Sequence, residues 1–413
     1  MKKLLAISTS LLSTAVMAAM PVNQPIGSSF TLSSAPNQRA LDTSLHNPAA
    51  PFLMVNQDDD DNFRFGIVGP IGIGIEFGDV SDLEDQIEDI EDLIDNTTSS
   101  NATVNKNQAN VILDQIGDSA YVKLSASLQV PLMPVIYRTD DGGAFVLDAS
   151  ISAVTKASLL ADDVEVNTSS DGLTTDSSIY AQTATDLNIG FGYSRSLWEN
   201  SHGMLVGGVK ANLHQISLGR ALAKLEDDDA FDEASDSISD DAVSSTNVGL
   251  DLGAVWVSHN YQVGLTFANI NQPEFDSADI VTNTASDSYG ITASDTYTME
   301  MQTTIDAAIS TSGKQLTLGM SYDANPVADA VGDEYQWAAA SLSYYGDSHF
   351  LPGIRVGFRQ NMAGSELSYA SAGLTILKRL NLDVAVSLDT VEDEDGEETP
   401  RSLYFSLGYA TAF

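Results

Sequence analysis

The chain ends in SLYFSLGYATAF, residues 402–413, and the alternation in that stretch decides the fold. Leu403, Phe405, Leu407, Tyr409 and Phe413 fall on one face, with only Thr411 breaking the apolar row. Tyr404, Ser406, Gly408, Ala410 and Ala412 fall on the other. A period of two belongs to a strand, whose successive side chains point to opposite faces. Ending in Phe413, the run looks like the carboxy-terminal signal by which the barrel assembly machinery recognises outer-membrane substrates. That machinery is therefore an expected partner.

Working back from the terminus, the same period repeats. Leu382, Val384, Val386 and Leu388 sit opposite Asp383, Ala385, Ser387 and Asp389. Ile354, Val356 and Phe358 sit opposite Arg355, Gly357 and Arg359, and Leu316, Leu318, Met320 and Tyr322 opposite Gln315, Thr317, Gly319 and Ser321. Further rows run through Tyr261–Phe267, Leu250–Trp256, Leu187–Tyr193, Phe145–Ile151 and Val122–Val130, and through Ile71, Ile73, Ile75 and Phe77. Weaker strands lie near Leu205, Met299 and Trp337. The expected fold class is all-β, a transmembrane antiparallel β-barrel of about 14 strands, within a range of about 12 to 15.

A soluble sheet also alternates, so the bilayer needs its own argument. Many rows run for about 9 to 12 residues, near the length a tilted strand needs to cross hydrocarbon. The non-apolar face is mostly Gly, Ser, Thr, Asn and Asp, as a polar lumen requires. Long polar excursions at 161–179, 226–245, 276–295 and 391–399 have the character of external loops. An apolar-sided sheet in lipid must close, because each unpaired backbone group costs several kcal/mol there. Trp198, Trp256, Tyr261, Trp337, Tyr344 and Tyr345 stand at strand ends and are candidates for interfacial belts. The Gly69-Pro70 pair marks a break, since proline donates nothing to a ladder.

Residues 1–19 have the order of a secretory signal peptide: Lys2 and Lys3, an apolar stretch, then Ala18 and Ala19. Residues 20–61 lack regular period and are expected to form a plug-like segment ahead of a barrel spanning 62–413. A helical insertion is expected at 80–117: Leu83, Ile87, Ile90 and Ile94 recur at helical spacing among acids within 83–95, and a second segment at 107–116 returns against it through Val111, Ile112 and Ile116. The hairpin is placed outside or at the mouth of the barrel. With 58 acidic against 18 basic residues and a net charge of -40, the surface repels phosphate backbones, so nucleic acid is excluded as a partner. The absence of cysteine removes disulfides, thiolate metal sites and cysteine nucleophiles.

Two stretches carry a family resemblance: SLHNPAA at 44–50, and LDLGAVWVSHNYQVGLTFANINQPEF at 250–275 with its Asn269, Asn271-Gln272-Pro273 exit. Together they resemble the fatty-acid transporter superfamily of outer-membrane barrels, and within it the family of the conjugal transfer protein TraF. The resemblance implies 14 strands, an N-terminal segment that plugs the lumen, passage of hydrophobic molecules, and a plug turn fixed by Asn47 and Pro48. The acidic helix at 83–95 is a departure from the transporter pattern. With no Cys-x-x-Cys, thioredoxin-like activity has no support.

Catalytic chemistry finds little footing. His46, His202, His214, His259 and His349 show no close metal-ligand spacing and fall in expected loops or strand ends. Ser201-His202 and Ser258-His259 are adjacent, which on a strand sends the two side chains to opposite faces. The acidic runs 58–61, 226–229 and 392–397 lack the spacing of an EF-hand loop. No catalytic residue, metal or cofactor is assigned, and the chain is read as a non-enzyme. Arg355, Arg359, Asp383 and Asp389 are the candidate lumen charges, either neutralising one another or surrounding a solute path. Two functions follow for a protein of the cell outer membrane in contact with its lipid. One is passage of a hydrophobic or small amphipathic solute; the other is a non-transporting role in conjugation, assembly or attachment.

Overall fold

The computed structural model describes residues 27–55, 62–78, 86, 89–90, 92–94, 96–116, 120–167, 172–225, 238, 241–346, 352–392 and 397–410. Residues 1–19, expected to be a signal segment, and Phe413, His349, Leu83, Ile87 and the acidic runs at 58–61 and 226–229 lie outside them.

Fourteen antiparallel wall positions close into a barrel. The first is β1 (Phe63–Phe77), and the second is shared by β2 (Tyr121–Gln129) and β3 (Val135–Arg138). There follow β4 (Ala144–Leu160), β5 (Ser178–Asn200), β6 (Gly203–Lys224), β7 (Val243–Val257), β8 (Tyr261–Ala268) and β9 (Gln302–Ser310). The wall continues with β10 (Leu316–Asp323), β11 (Trp337–Tyr344), β12 (Gly353–Asn361), β13 (Ser368–Ile376), β14 (Leu380–Ser387) and β15 (Ser402–Ala410). The last strand returns to the first, with Leu407, Phe405 and Leu403 opposite Ile71, Ile73 and Ile75. The alternating terminus therefore forms the seam that removes both edges.

The two faces are reversed relative to a soluble protein. On β12, Ile354, Val356 and Phe358 are exposed, while Arg355 and Arg359 are buried. On β10, Leu316, Leu318, Met320 and Tyr322 are exposed, while Thr317 and Asp323 are buried. Arg355 is the largest fully buried side chain among the described residues. Such an apolar belt around a closed sheet is stable only in hydrocarbon, and the protein is an outer-membrane barrel. Two of the aromatics expected at the interface sit inside instead. Trp337 stacks on Tyr335 beneath Arg359, and Tyr345 is buried against Arg355. Both have odd numbers on the inward row of β11 and its exit, so parity overrides their position at a strand end.

β4, β5 and β6 run for 17, 23 and 22 residues, well beyond the expected length. Their far ends are packed rather than bathed in lipid. On the outer side, α2 (Ala102–Ile116) brings Ala109, Leu113 and Ile116, with Ile90, against Val122, Ala157, Leu159 and Ile179. On the inner side, the segments after β8 and β10 fold into the mouth. There Phe275, Met299 and Val331 meet Val154, Ala184 and Leu218. A short helix, α3 (Thr284–Ser288), lies beside them with Ala285 against Leu160 and Tyr180.

Residues 27–55, ahead of the wall, occupy the lumen. Two 3-10 turns, Gly27–Phe30 and Leu41–Leu45, lead to a short helix, α1 (Ala50–Val55), every residue of which is buried.

Candidate functional site in the lumen

The inward rows of the last strands hold this N-terminal segment. Arg355 donates from Nε to Asp383 Oδ1 at 3.0 Å and from Nη2 to Oδ2 at 2.9 Å, and Thr31 Oγ1 donates to the same Oδ1 at 2.6 Å. Arg359 donates from Nη2 to the carbonyls of Ser29 at 2.8 Å and Leu32 at 3.3 Å, its guanidinium lying between the rings of Phe30 and Trp337. Asn37 Nδ2 donates to Ser343 Oγ at 3.0 Å, and Arg64 Nη1 to the Gln38 carbonyl at 2.9 Å. These groups close wall and plug together in a low-dielectric interior, where satisfied networks rigidify.

Asn47 and Pro48 form the tightest approach. Asn47 Oδ1 accepts from Ala49 N at 2.9 Å, and its Nδ2 points to the Leu265 carbonyl at 3.4 Å. The turn sits on Gly208 and Gly253, which face each other across β6 and β7. A Cβ on Gly208 would lie 2.0 Å from the Pro48 carbonyl oxygen, and one on Gly253 would lie 2.2 Å from Asn47 Oδ1. Beyond the turn, Leu53, Met54 and Val55 pack on Ile136, Val206 and Val255 and stopper the end of the barrel with the short turns.

A second constriction lies toward the opposite mouth. Lys123, 1% exposed, reaches Asp329 at 2.6 Å and Asp333 at 2.7 Å and donates to Tyr335 Oη. Lys156 also reaches Asp333. Burial alone would raise the Asp333 pKa, but Lys123 and Lys156 pull it down to about 2. Arg220 donates to the carbonyls of Ala278, Thr292 and Ala293 at 2.9, 3.0 and 2.9 Å, tying the segment after β8 to the inner wall.

Between plug and mouth lies a polar chamber of about 240 Å³. Its lining includes Asp148, Asp186, Asn188, Lys210, Asn212, His214 and Asp251 from β4 to β7, with Asp42 and His46 from the plug and Asp323, Trp337 and Arg359 from the far wall. Lys210 pairs with Asp148 at 3.1 Å, His214 Nδ1 meets Asp186 Oδ2 at 2.8 Å, and Asn212 Nδ2 donates to Asp251 Oδ2 at 2.6 Å. Burial, then the positive fields of Arg359 and Lys210, lowers His46 to about 4, so it is neutral near pH 7. Burial raises Asp42, opposed by its bonds from Ser28.

The structure brings Arg355, Asp383 and Arg359 together around the plug but leaves Asp389 out. Asp389 is exposed, and its carboxylate accepts from Ser368 N at 2.8 Å. β14 ends at Ser387, so its parity no longer applies two residues on. His214 lies on the lumen row rather than in a loop or at a strand end as expected, because β6 is a single 22-residue strand rather than a short one near Leu205. Its signal was available: Lys210, Asn212 and His214 alternate with Val209, Ala211 and Leu213. Ser201 and His202 lie in a turn, not on a strand, and Ser201 Oγ is 3.3 Å from His202 Nδ1, both exposed. His259 is likewise exposed at a turn. Among the described residues, no group of three His, Asp or Glu side chains is arranged to hold a metal.

The family model for the F plasmid transfer operon protein TraF matches residues 44–323. The chain is similar in structure to the Pseudomonas putida toluene transporter TodX, with 13% identity, a TM-score of 0.46, and 91% of this chain and 94% of that one covered. It is also similar to the CymD monoaromatic hydrocarbon channel (10% identity, TM-score 0.39, 88% and 91% covered). A third likeness is to outer membrane phospholipase A from Escherichia coli (13% identity, TM-score 0.29, 88% and 97% covered). No curated protein matches the chain in sequence.

Proposed function

The chain belongs to the family of the F plasmid transfer operon protein TraF, and on that premise we propose that it passes a hydrophobic or small amphipathic solute through the side of its wall. The observation that carries this reading is that the chamber reaches the one long break in the ladder of β1 to β4. Gln129 pairs with Ser150 and Val135 with Leu147, so on the β4 side residues 130–134 have only Asp148 and Ala149 across from them, while on the β1 side Leu132 N donates to the Ile67 carbonyl at 3.3 Å and Gly66 N to the Pro134 carbonyl at 3.2 Å. On the neighbouring strand, β1 shifts register twice between Gly66 and Ile71. Pro70 and Gln129, at the edge of this break, line the chamber. Leu132 is 56% exposed on the outside of the same break. A route from the polar interior to the hydrocarbon belt would pass through this break.

The test is flux of a fluorescent amphiphile into vesicles containing the purified protein. The chain has no cysteine, so Leu132→Cys directs a bulky thiol reagent to one place. Wild type should exceed empty vesicles, and modified Leu132→Cys should fall toward them. Flux that persists after complete modification would remove the lateral route. Wild-type flux equal to empty vesicles would leave the non-transporting reading.

A further inference from the structure

The plug and the segment 327–335 in the mouth are two pieces of chain outside the wall, and one column of side chains joins them. The mouth segment is a hairpin that is stiff in itself. Val327 pairs with Tyr335 and Ala328 with Glu334, while Asp329 Oδ1 accepts from Val331 N at 3.0 Å and from Asp333 N at 2.9 Å. Its tip is fastened to the wall by Lys123 and Lys156. Its base runs from Tyr335 almost directly into Trp337, the first residue of β11.

From that base the column leads to the plug. The Tyr335 ring stacks on Trp337, with centroids 5.6 Å apart and planes at 22°. Trp337 pairs with Asn361 and Ala339 with Arg359, which makes Trp337 and Arg359 diagonal neighbours on the inner face, within reach of long side chains. The guanidinium stands 5.1 Å from the Trp337 ring and 4.9 Å from the Phe30 ring, and Phe30 stacks on Tyr404 at 4.4 Å. Tyr369 flanks the column, 6.0 Å from Trp337 and 6.5 Å from Phe30. Its hydroxyl donates to Glu76, the register partner of Lys123.

The cation at the centre makes these contacts depend on one another. Arg359 is 5% exposed and directs Nη2 to the carbonyls of Ser29 and Leu32. If the plug leaves, a buried charge loses two acceptors and one ring face together, an arrangement that low-dielectric surroundings penalise. The guanidinium must then turn toward water, and Trp337 loses the group that backs its stack on Tyr335. If the hairpin leaves, Tyr335 goes with it, and Trp337 loses the ring that holds it against Arg359. One shared side chain with two arrangements, each favoured by a different segment, is what coupling requires.

We propose that the 327–335 hairpin and the plug release one another, with Trp337 as the positioning residue between them. Whatever draws the hairpin off Lys123 weakens the seating of Phe30, and unseating of Phe30 loosens the hairpin. The interior thereby opens from the mouth and from the plug in concert. The proposal goes beyond the passage reading and stands without it, since the two segments can be followed in the absence of flux.

The experiment is hydrogen exchange read by mass spectrometry on the full chain in non-ionic detergent. One sample reports on the plug, through the amides of Thr31 and Leu32 bonded to the Ser28 carbonyl, and on the hairpin, through those of Val331 and Asp333. Lys123→Met perturbs the mouth and Phe30→Leu the plug. Lys123→Met should quicken exchange in the plug, and Phe30→Leu in the hairpin, each by about 5- to 150-fold, the usual range of coupling between sites. Trp337→Leu should shrink both cross-responses, whereas Trp337→Phe, which keeps a ring face, should retain them. A plug exchanging at its wild-type rate in Lys123→Met whose hairpin has loosened overturns the proposal. So does a hairpin at its wild-type rate in Phe30→Leu, and neither result needs a Trp337 variant to fold. Cross-responses undiminished in Trp337→Leu, or acceleration spread equally over β7 and β8, overturn it as well, because general loosening would then carry the effect.

Discussion

Gly208→Ala tests the seating of the plug turn with one methyl group. The Cβ would stand 2.0 Å from the Pro48 carbonyl oxygen, 2.3 Å from its carbonyl carbon and 2.6 Å from Ala49 N, all of them backbone. No rotamer relieves such a contact, so the turn must retreat by about 1.4 Å to reach ordinary separation. That movement breaks the 3.4 Å contact from Asn47 Nδ2 to the Leu265 carbonyl and loosens α1 from Ile136, Val206 and Val255. Overpacking of this kind costs about 1–3 kcal/mol, which is about 5- to 160-fold in the ratio of seated to unseated plug. The wall should be unaffected, because Gly208 keeps its ladder partners Ser194 and Gly253. A single cysteine at Ser44 reports the change: buried in the wild type, it should react with a thiol reagent faster in the variant by that factor. Gly313→Ala, whose nearest contact would be 3.8 Å, is the control. Equal protection of Ser44→Cys in Gly208→Ala, with a normal shift of gel migration on boiling, would refute the seating.

Further outcomes follow from the same geometry. Lys123→Met leaves Asp329 and Asp333 without their shared cation and should free the 327–335 segment, at about 3–5 kcal/mol, read as faster hydrogen exchange there. Arg359→Lys keeps the charge but loses the planar fork between Phe30 and Trp337, so protease protection of the plug should drop with the barrel intact. Because His46 falls from 6.5 to about 4 on docking, the undocked state binds the extra proton; plug stability should be full above pH 6.5 and decline toward pH 4, by an amount on the order of 3 kcal/mol. The raised Asp42 opposes this, gaining for the docked state as pH falls, so His46→Gln should make the plug less sensitive to acid than the wild type. On the lipid face, Phe191→Arg should cost about 2–4 kcal/mol and lower the temperature at which the folded gel band disappears.

The wall was legible because lipid and lumen impose opposite chemistry on alternate residues, and that contrast survives in β8 to β15 residue by residue. Arg355, Arg359 and Asp383 followed from parity. Asp389 did not, because parity ends where the ladder does. The length of β5 and β6 was hidden because their outer rows beyond the membrane face protein rather than lipid, so Ala181 and Ala221 replace large apolar residues there. The mouth lock was invisible for a different reason: Lys123 meets Asp329 and Asp333 across 206 and 210 residues of chain, and no local period records such a meeting.

The union of β1 with β15 also constrains how the molecule is made. The stopper precedes the first wall strand, yet several of its fastenings belong to β11, β12 and β14, among the last parts of the wall to be synthesised. Once the terminal strands zip together, Phe52, Leu53 and the folded turn before them would have to thread through a bore already lined with side chains. An N-terminal segment that enters while the sheet is still open meets these fastenings without threading, and joining the two ends of the wall then encloses it.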